Sequence, residues 1–407
     1  MKCIKNRKRP AMKIETITIC GGGNAAHAMI PIIRSNFSGK LNLFIPFGDE
    51  AVRFNKLIEE ERFITATIGD KKLYGRPDEA SKFAKDVCRE ADLILMPLPA
   101  FAHESTLLQI ASFLKEEVII GAIPARSGFE YAALKILKDS KKEKAIIFGM
   151  QTLPWACRIK EYASKVDILG KKRSVGIAAF PHKTTSELAL FLTHLLDLKI
   201  ETLPNMLTLS LANVGQIIHP GIMYGLFKGK EELRYRKEEI PLFYQGVTKE
   251  ISETLKMMSD EILALTKEIK NIDKSINLNH VLSLKDWLLY SYKDSIEDKS
   301  TLQSCFVTNR AYQGLRAPMK KINDDHFLPD FQARYLTEDV PYGLVVTKAI
   351  AQLAKVDMPV INEVILTISK WIGKEYIKRD HLEGKDIKDT RIPQNYGVNN
   401  LEEITVY

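Results

Sequence analysis

The chain has 407 residues, 45% hydrophobic and 27% charged, with no low-complexity tract, so it holds enough apolar material for two or three packed domains and is neither disordered nor fibrous. The formal charge of +8 is poor support for nucleic-acid binding. Lys2, Lys5, Arg7, Lys8 and Arg9 supply five of those charges in a basic N-terminal tail (residues 1–12), and the rest of the chain carries only three. Met12 offers an alternative start, and no apolar run follows the basic residues as a secretory leader requires. Cys3, Cys20, Cys88, Cys157 and Cys305 are odd in number and scattered, which points to reduced thiols in a cytoplasmic protein without a metal site.

The first element is a short strand within IETITICGGGNAAH, residues 14–27, running directly into a helix. Gly21-x-Gly23-x-x-Ala26 fits the dinucleotide fingerprint with alanine in third place. Gly21 permits the tight turn, Gly23 lets backbone N–H groups approach a pyrophosphate, and Ala26 allows close helix–strand packing. The helix N-terminus then offers unpaired N–H groups to the phosphates. A strand is expected at 41–45. Its end should carry an acid for the adenosine ribose, but residues 41–47 contain none. Asp49 is the nearest candidate, and Arg53 could instead face a 2′-phosphate. NADH is therefore favoured, with NADPH as the other option.

A helix follows at 49–60, a hairpin at 62–74 turning near Gly69 and Asp70, a helix at 78–90 and a strand at 93–96. PLPAFAHE, residues 97–104, leads into a helix ending near Leu114. Its prolines, with Leu98 between them and Pro99 before the helix, stiffen a loop past a strand's carboxyl end, where open α/β sheets bind ligands. A strand at 118–121, a helix at 128–138 and a strand at 145–149 continue the alternation. PARSGFE, residues 124–130, occupies the equivalent loop, with Arg126 either binding a carboxylate or pairing at the surface. Runs at 166–169 and 175–180 are expected to extend the sheet, and a helix at 187–198 to close it. The fold class is α/β over residues 13–204, a parallel sheet with helices on both faces.

Beyond Pro204 helical periodicity dominates, at 207–218, 246–269, 284–295, 342–355 and 361–372, so residues 205–407 read as a mainly helical second domain. Residues 202–227 carry no formal charge and could span a bilayer by length. Asn205, Asn213, Gln216, His219 and Pro220 make that costly, and a buried helix presenting polar groups to a pocket is the better account. A lone histidine on an apolar helix is ordinarily a satisfied core residue. Here FQARYLTED, residues 331–339, adds Arg334, a fork donor for a carboxylate, and Asp339. A His/Asp pair with an arginine suits 2-keto acid chemistry: the histidine moves a proton, the aspartate fixes its tautomer, the arginine clamps the carboxylate.

CGGGNAAH, PLPAFAHE, LPWACRIKE, His219-Pro220, PLFYQG, RYLTED, IGKEY and GKDIKDTRIPQNYG together resemble the opine dehydrogenase family, close to its octopine type, over residues 20–397. The resemblance implies an N-terminal Rossmann domain joined to an all-helical C-terminal domain, with the active site in the cleft. It also implies NAD(P)H-dependent reductive condensation of an amino acid with a 2-keto acid such as pyruvate, through an imine, to a secondary amine dicarboxylate. By the same resemblance His219 is the acid/base, Asp339 its partner and Arg334 the carboxylate clamp. Asn24 and Ala25 fall in the nucleotide loop, and Arg126, Cys157, Asn213 and Trp287 line the substrate cleft. Because Arg126 would repel a second guanidinium, a neutral or acidic amine (alanine, glycine, taurine) is expected rather than arginine. Partners are small molecules only, and the protein is expected to be a monomer or homodimer. The competing readings are a simple 2- or 3-hydroxy acid dehydrogenase and a non-catalytic dinucleotide sensor.

Overall fold

The computed structural model describes residues 12–406; residues 1–11 of the expected basic tail, Cys3 among them, lie outside these. The chain forms two compact units, one running up to Ala125 and resuming as Ala133–Met206, the other comprising Arg126–Ala132 and the chain from Leu207 on. The sequence places residues 126–132 in the first domain. They belong with the second because Ser127 and Gly128 are bonded to Ser210, and the Ser127 N–H donates to the carbonyl of Tyr342.

The first unit contains strands β1 (Thr16–Cys20), β2 (Lys40–Phe44), β3 (Ile64–Ile68), β4 (Lys71–Gly75), β5 (Glu79–Ser81), β6 (Leu93–Met96), β7 (Ile119–Ala122), β8 (Ile146–Met150), β9 (Trp155–Glu161), β10 (Lys165–Lys171), β11 (Ser174–Phe180) and β12 (Lys199–Thr202). Its helices are α1 (Asn24–Asn36), α2 (Glu50–Glu59), α3 (Ala84–Val87), α4 (Ala100–Ile110), the main part of α5 (Phe129–Asp139) and α6 (Thr185–Leu195). The eight-stranded sheet runs β12-β11-β8-β7-β6-β1-β2-β5. From β5 to β8 every pairing is parallel, which is the strand order of a doubly wound dinucleotide-binding fold. The order reverses between β1 and β6, so the glycine turn after β1 and the proline loop after β6 flank the point where such sheets take their ligand.

Two expectations fail here. The helix at 78–90 is replaced by β5, paired with β2, and the short α3. Asp78 accepts the Leu41 N–H at 2.8 Å and an ion pair from Arg34, which ties the chain to the sheet edge before a helix can begin. The run at 166–169 does not extend the main sheet. It lies in β10 of a separate four-stranded sheet, β4-β3-β10-β9, whose β9 alternates Trp155, Cys157 and Ile159 with exposed residues and so gave no continuous apolar run.

The second unit holds α7 (Met206–Leu211), α8 (Gly215–Phe227), α9 (Lys249–Ile272), α10 (Leu284–Tyr292), α11 (Leu302–Val307), α12 (Arg334–Thr337), α13 (Val345–Leu353), α14 (Pro359–Trp371) and α15 (Leu401–Thr405), with a small hairpin of β13 (Met319–Lys321) and β14 (Phe327–Pro329). The helix expected at 207–218 is two helices, broken at residues 212–214. The long α9 starts on Thr248, whose hydroxyl accepts the Ile251 N–H at 3.3 Å. It packs closely on α8 because Gly221 leaves room: a Cβ there would lie 2.5 Å from Leu255 Cδ2. Among the described residues no helix is long and apolar enough to cross a membrane.

Candidate active site

The glycine turn has the geometry a pyrophosphate needs. Gly21 has φ +102°, and a Cβ on it would meet Leu98 Cδ2 at 2.6 Å, so both conformation and space demand glycine. Gly23 is the N-cap of α1, with no side chain capping the helix, no acid in its first turn, and open space where a Cβ would stand. Uncapped N–H groups at an acid-free helix start suit a dianionic phosphate, so the residues present fit a bound dinucleotide. Ala25 and Ala26 are buried, with Ala26 in the core packed against the sheet.

The other expected cofactor residues fall as follows. The Asn24 side-chain oxygen accepts the Ile159 N–H at 2.7 Å, so it braces the turn against β9. Leu98 covers Gly21, and Pro99 is the N-cap of α4. Asp49 is the N-cap of α2 and pairs with Arg53 at 2.9 Å on an exposed face. Sequence reasoning missed Glu50: its carboxylate oxygen lies 2.9 Å from where a Cβ on Gly22 would stand, and the Tyr162 hydroxyl 2.4 Å. It also missed His27, buried within the same motif. The ring Nε2 accepts the Ala163 N–H at 2.8 Å and Nδ1 lies 3.1 Å from the Gly23 carbonyl, which fixes a neutral tautomer. Burial pushes its pKa down to about 4, against two carbonyl contacts that act the other way.

In the second unit His219, on α8, meets Asp339, which lies 120 positions later: Nδ1 is 2.7 Å from Oδ2. A carboxylate at Nδ1 makes that nitrogen the donor and leaves Nε2 as the acceptor in the neutral ring. The Tyr244 hydroxyl lies 3.3 Å from Nε2, and the Tyr335 ring stacks on the imidazole with centroids 4.1 Å apart and planes at 7°. Burial pushes the Tyr244 phenol far above its ordinary range, with Tyr335 adding to the effect, so it stays a neutral hydroxyl.

Asp339 is fully buried. Burial alone would raise its carboxyl, but Arg126 and then His219 outweigh that and hold it below the usual carboxylate value. Arg126 Nη1 is 3.0 Å from Asp339 Oδ1, and Arg126 Nε is 3.6 Å from Glu338 Oε1. The Arg334 Nε donates to Glu338 Oε2 at 2.8 Å, while its side chain stays 58% exposed. Two guanidinium groups thus face two buried carboxylates, and the cluster is neutral when His219 is neutral.

This corrects the sequence reading of Arg126. It is paired with two carboxylates rather than a free cation, so the argument that it repels an arginine substrate loses its basis. Asn213, buried in the break between α7 and α8, has its side-chain oxygen 3.5 Å from Arg126 Nη1. Trp287 is half-buried on α10, 5.9 Å from the Tyr292 ring in the helical core. Cys157 lies in β9 of the first unit, opposite Ile168, with its thiol pushed up by burial. Glu338, Tyr244 and Tyr335 were missed. The i,i+4 spacing of Arg334 and Glu338 was a visible signal for the first. Among the described residues no His/Cys/Asp/Glu group could hold a metal ion, and Cys20, Cys88, Cys157 and Cys305 are free.

Residues 202–372 match the family described as NAD/NADP octopine/nopaline dehydrogenase, alpha-helical domain. The chain is 38% identical to an opine dehydrogenase of Haliotis discus hannai, over 96% of this chain and 98% of that one. It is 33% identical to a tauropine dehydrogenase of Arabella iricolor, over 95% and 99%. A solved octopine dehydrogenase with NADH and L-arginine superposes with a TM-score of 0.90 at 30% identity, covering 96% of this chain and 98% of that one. With the dinucleotide fold in one unit and the His–Asp–Arg cluster in the other, the chain belongs to the opine dehydrogenase family of NAD(P)-dependent oxidoreductases.

Proposed function

We propose that the chain condenses an amino acid or related amine with a 2-keto acid such as pyruvate and reduces the resulting imine to a secondary amine, with NADH preferred. The observation that carries this reading is the His219–Asp339 pair at 2.7 Å with the exposed face of Arg334 on the same short segment as Asp339. Solved relatives bound to NADH with L-arginine and to NADH with pyruvate support the two substrate classes.

NADH supplies the hydride when bound, and the uncapped α1 N-terminus with Gly21, Gly23 and the Leu98–Pro99 loop would hold it. His219 Nε2 takes a proton from the incoming ammonium group, which frees the amine to attack the keto carbon. The same nitrogen returns that proton to the hydroxyl that leaves as water. Asp339 keeps Nδ1 protonated and stabilises the imidazolium between the two transfers. Arg334 binds the keto acid's carboxylate through its open side, while Glu338 holds the other edge of the guanidinium.

We assign Asp49 to the adenosine hydroxyls; its ion pair with Arg53 at 2.9 Å engages the guanidinium that would otherwise be open to a 2′-phosphate, which supports NADH over NADPH. Cys157, Asn213 and Trp287 are assigned to the substrate side. Among the described residues Cys20, Cys88, Cys157 and Cys305 are free, which supports a reducing, cytoplasmic setting, and we take the protein to be a monomer or homodimer. The test is a panel of amines with pyruvate followed by NADH and NADPH absorbance. Oxidation that requires an added amine supports the proposal; equal oxidation with pyruvate alone contradicts it and favours a simple hydroxy acid dehydrogenase.

A further inference from the structure

We propose that Arg126 is a positioning residue for this reaction, acting on His219 through the shared carboxylate of Asp339 rather than binding substrate. The inference rests on the reading of His219 as the acid/base.

Four observations converge on it. The Asp339 carboxylate is divided: Oδ2 receives His219 Nδ1 at 2.7 Å and Oδ1 faces Arg126 Nη1 at 3.0 Å. Space is reserved for that guanidinium, since a Cβ on Gly215 would lie 3.1 Å from Arg126 Nη1 and 3.4 Å from Asp339 Oδ1. The backbone at Arg126 is in the left-handed region, φ +60°, where a non-glycine residue is strained and needs its surroundings to hold it. Those surroundings include α7 and the segment that carries Asp339. The Ser127 N–H donates to the Tyr342 carbonyl at 3.0 Å, the Ser127 hydroxyl donates to the Ser210 carbonyl at 3.1 Å, and the Leu344 N–H donates to the Asp339 carbonyl at 3.1 Å.

The chemical consequence follows from charge. Asp339 is buried beside His219, and an unopposed carboxylate there would bind the imidazolium too tightly for the ring to give its proton up. Arg126 draws off part of that negative charge and keeps the carboxylate ionised. The charged or titratable groups around the dyad are Arg126, Glu338 and Arg334, with the hydroxyls of Tyr244 and Tyr335. Arg126 is the cation in direct contact with Asp339.

The experiment compares Arg126→Gln and Arg126→Lys with the unaltered chain, after a thermal melt, as full pH profiles of kcat and of kcat/KM for the keto acid. Amine-dependent turnover of the unaltered chain tests the underlying reading separately. The expected result is that Arg126→Gln moves the pKa governing turnover upward by about one unit and lowers kcat, while Arg126→Lys restores the unaltered pKa. Should Arg126→Gln fail to fold, Arg126→Ala assayed with and without added guanidinium replaces it: a pKa of turnover raised without guanidinium and returned toward the unaltered value with it supports the proposal, and a pKa unmoved in both overturns it. A rise in KM for the keto acid with kcat and the pH profile unmoved, in either variant, overturns it and returns Arg126 to the substrate.

Discussion

Nδ1 of His219 and Oδ2 of Asp339 stand 2.7 Å apart, although the two residues are 120 positions apart in the chain. The contact fixes which nitrogen can reach a substrate. We predict that His219→Ala lowers turnover by about a hundredfold or more, with NADH affinity, measured by fluorescence titration, little changed. Asp339→Asn should also lower kcat, because the amide can donate to Nδ1 and so favours the wrong tautomer.

Arg334 offers a different signature. It is held by Glu338 along one edge and open on the other. Arg334→Lys keeps the charge and loses the fork, so KM for the keto acid should rise about tenfold, about 1.4 kcal/mol of binding, while KM for the amine stays close to that of the unaltered chain. Steady-state kinetics with each substrate varied in turn reads this directly.

The glycine turn should tolerate no side chain at Gly21 or Gly22. Gly21→Ala meets Leu98 and a positive φ together, and Gly22→Ala meets the Tyr162 hydroxyl and Glu50. Either substitution should weaken NADH binding, and Gly21→Ala should also lower the melting temperature, given a cost of roughly 1–3 kcal/mol for a strained backbone position.

His27 ties the same turn to the β9–β10 hairpin as a neutral ring, with its pKa depressed from 6.5 to about 4. Below pH 6.5 the unfolded chain takes up a proton that the folded chain refuses. The ring's contribution to stability is therefore complete above about pH 6.5 and is lost as pH falls through about 4, by an amount on the order of 3 kcal/mol. Denaturant melts between pH 4 and 7 should show this slope, and His27→Gln should flatten it relative to the unaltered chain. Parallel curves for the two proteins would rule the assignment out.

The parallel sheet was legible because its strands are short apolar runs between amphipathic helices, and the glycine spacing announced the first turn. What was hidden depended on partners distant in sequence. Residues 79–81 form a strand only because β2 is beside them, and α3 shrinks accordingly. His219, Arg334 and Asp339 could be named from residue type and motif, but nothing local shows that Arg126 joins them, since the two carboxylates it pairs with lie more than 200 positions away. The charge pairing also removed a specificity argument: a guanidinium that looks like a free cation in a sequence is neutralised by two carboxylates in the fold.

The most direct measurement is product analysis. The protein is incubated with NADH, pyruvate and an amine that supports turnover, and the products are quantified by mass spectrometry against NADH consumed. The account predicts one secondary amine, joining the two substrates through a new carbon–nitrogen bond, for each NADH oxidised. Lactate accumulating in step with NADH loss, with no joined product, would contradict it.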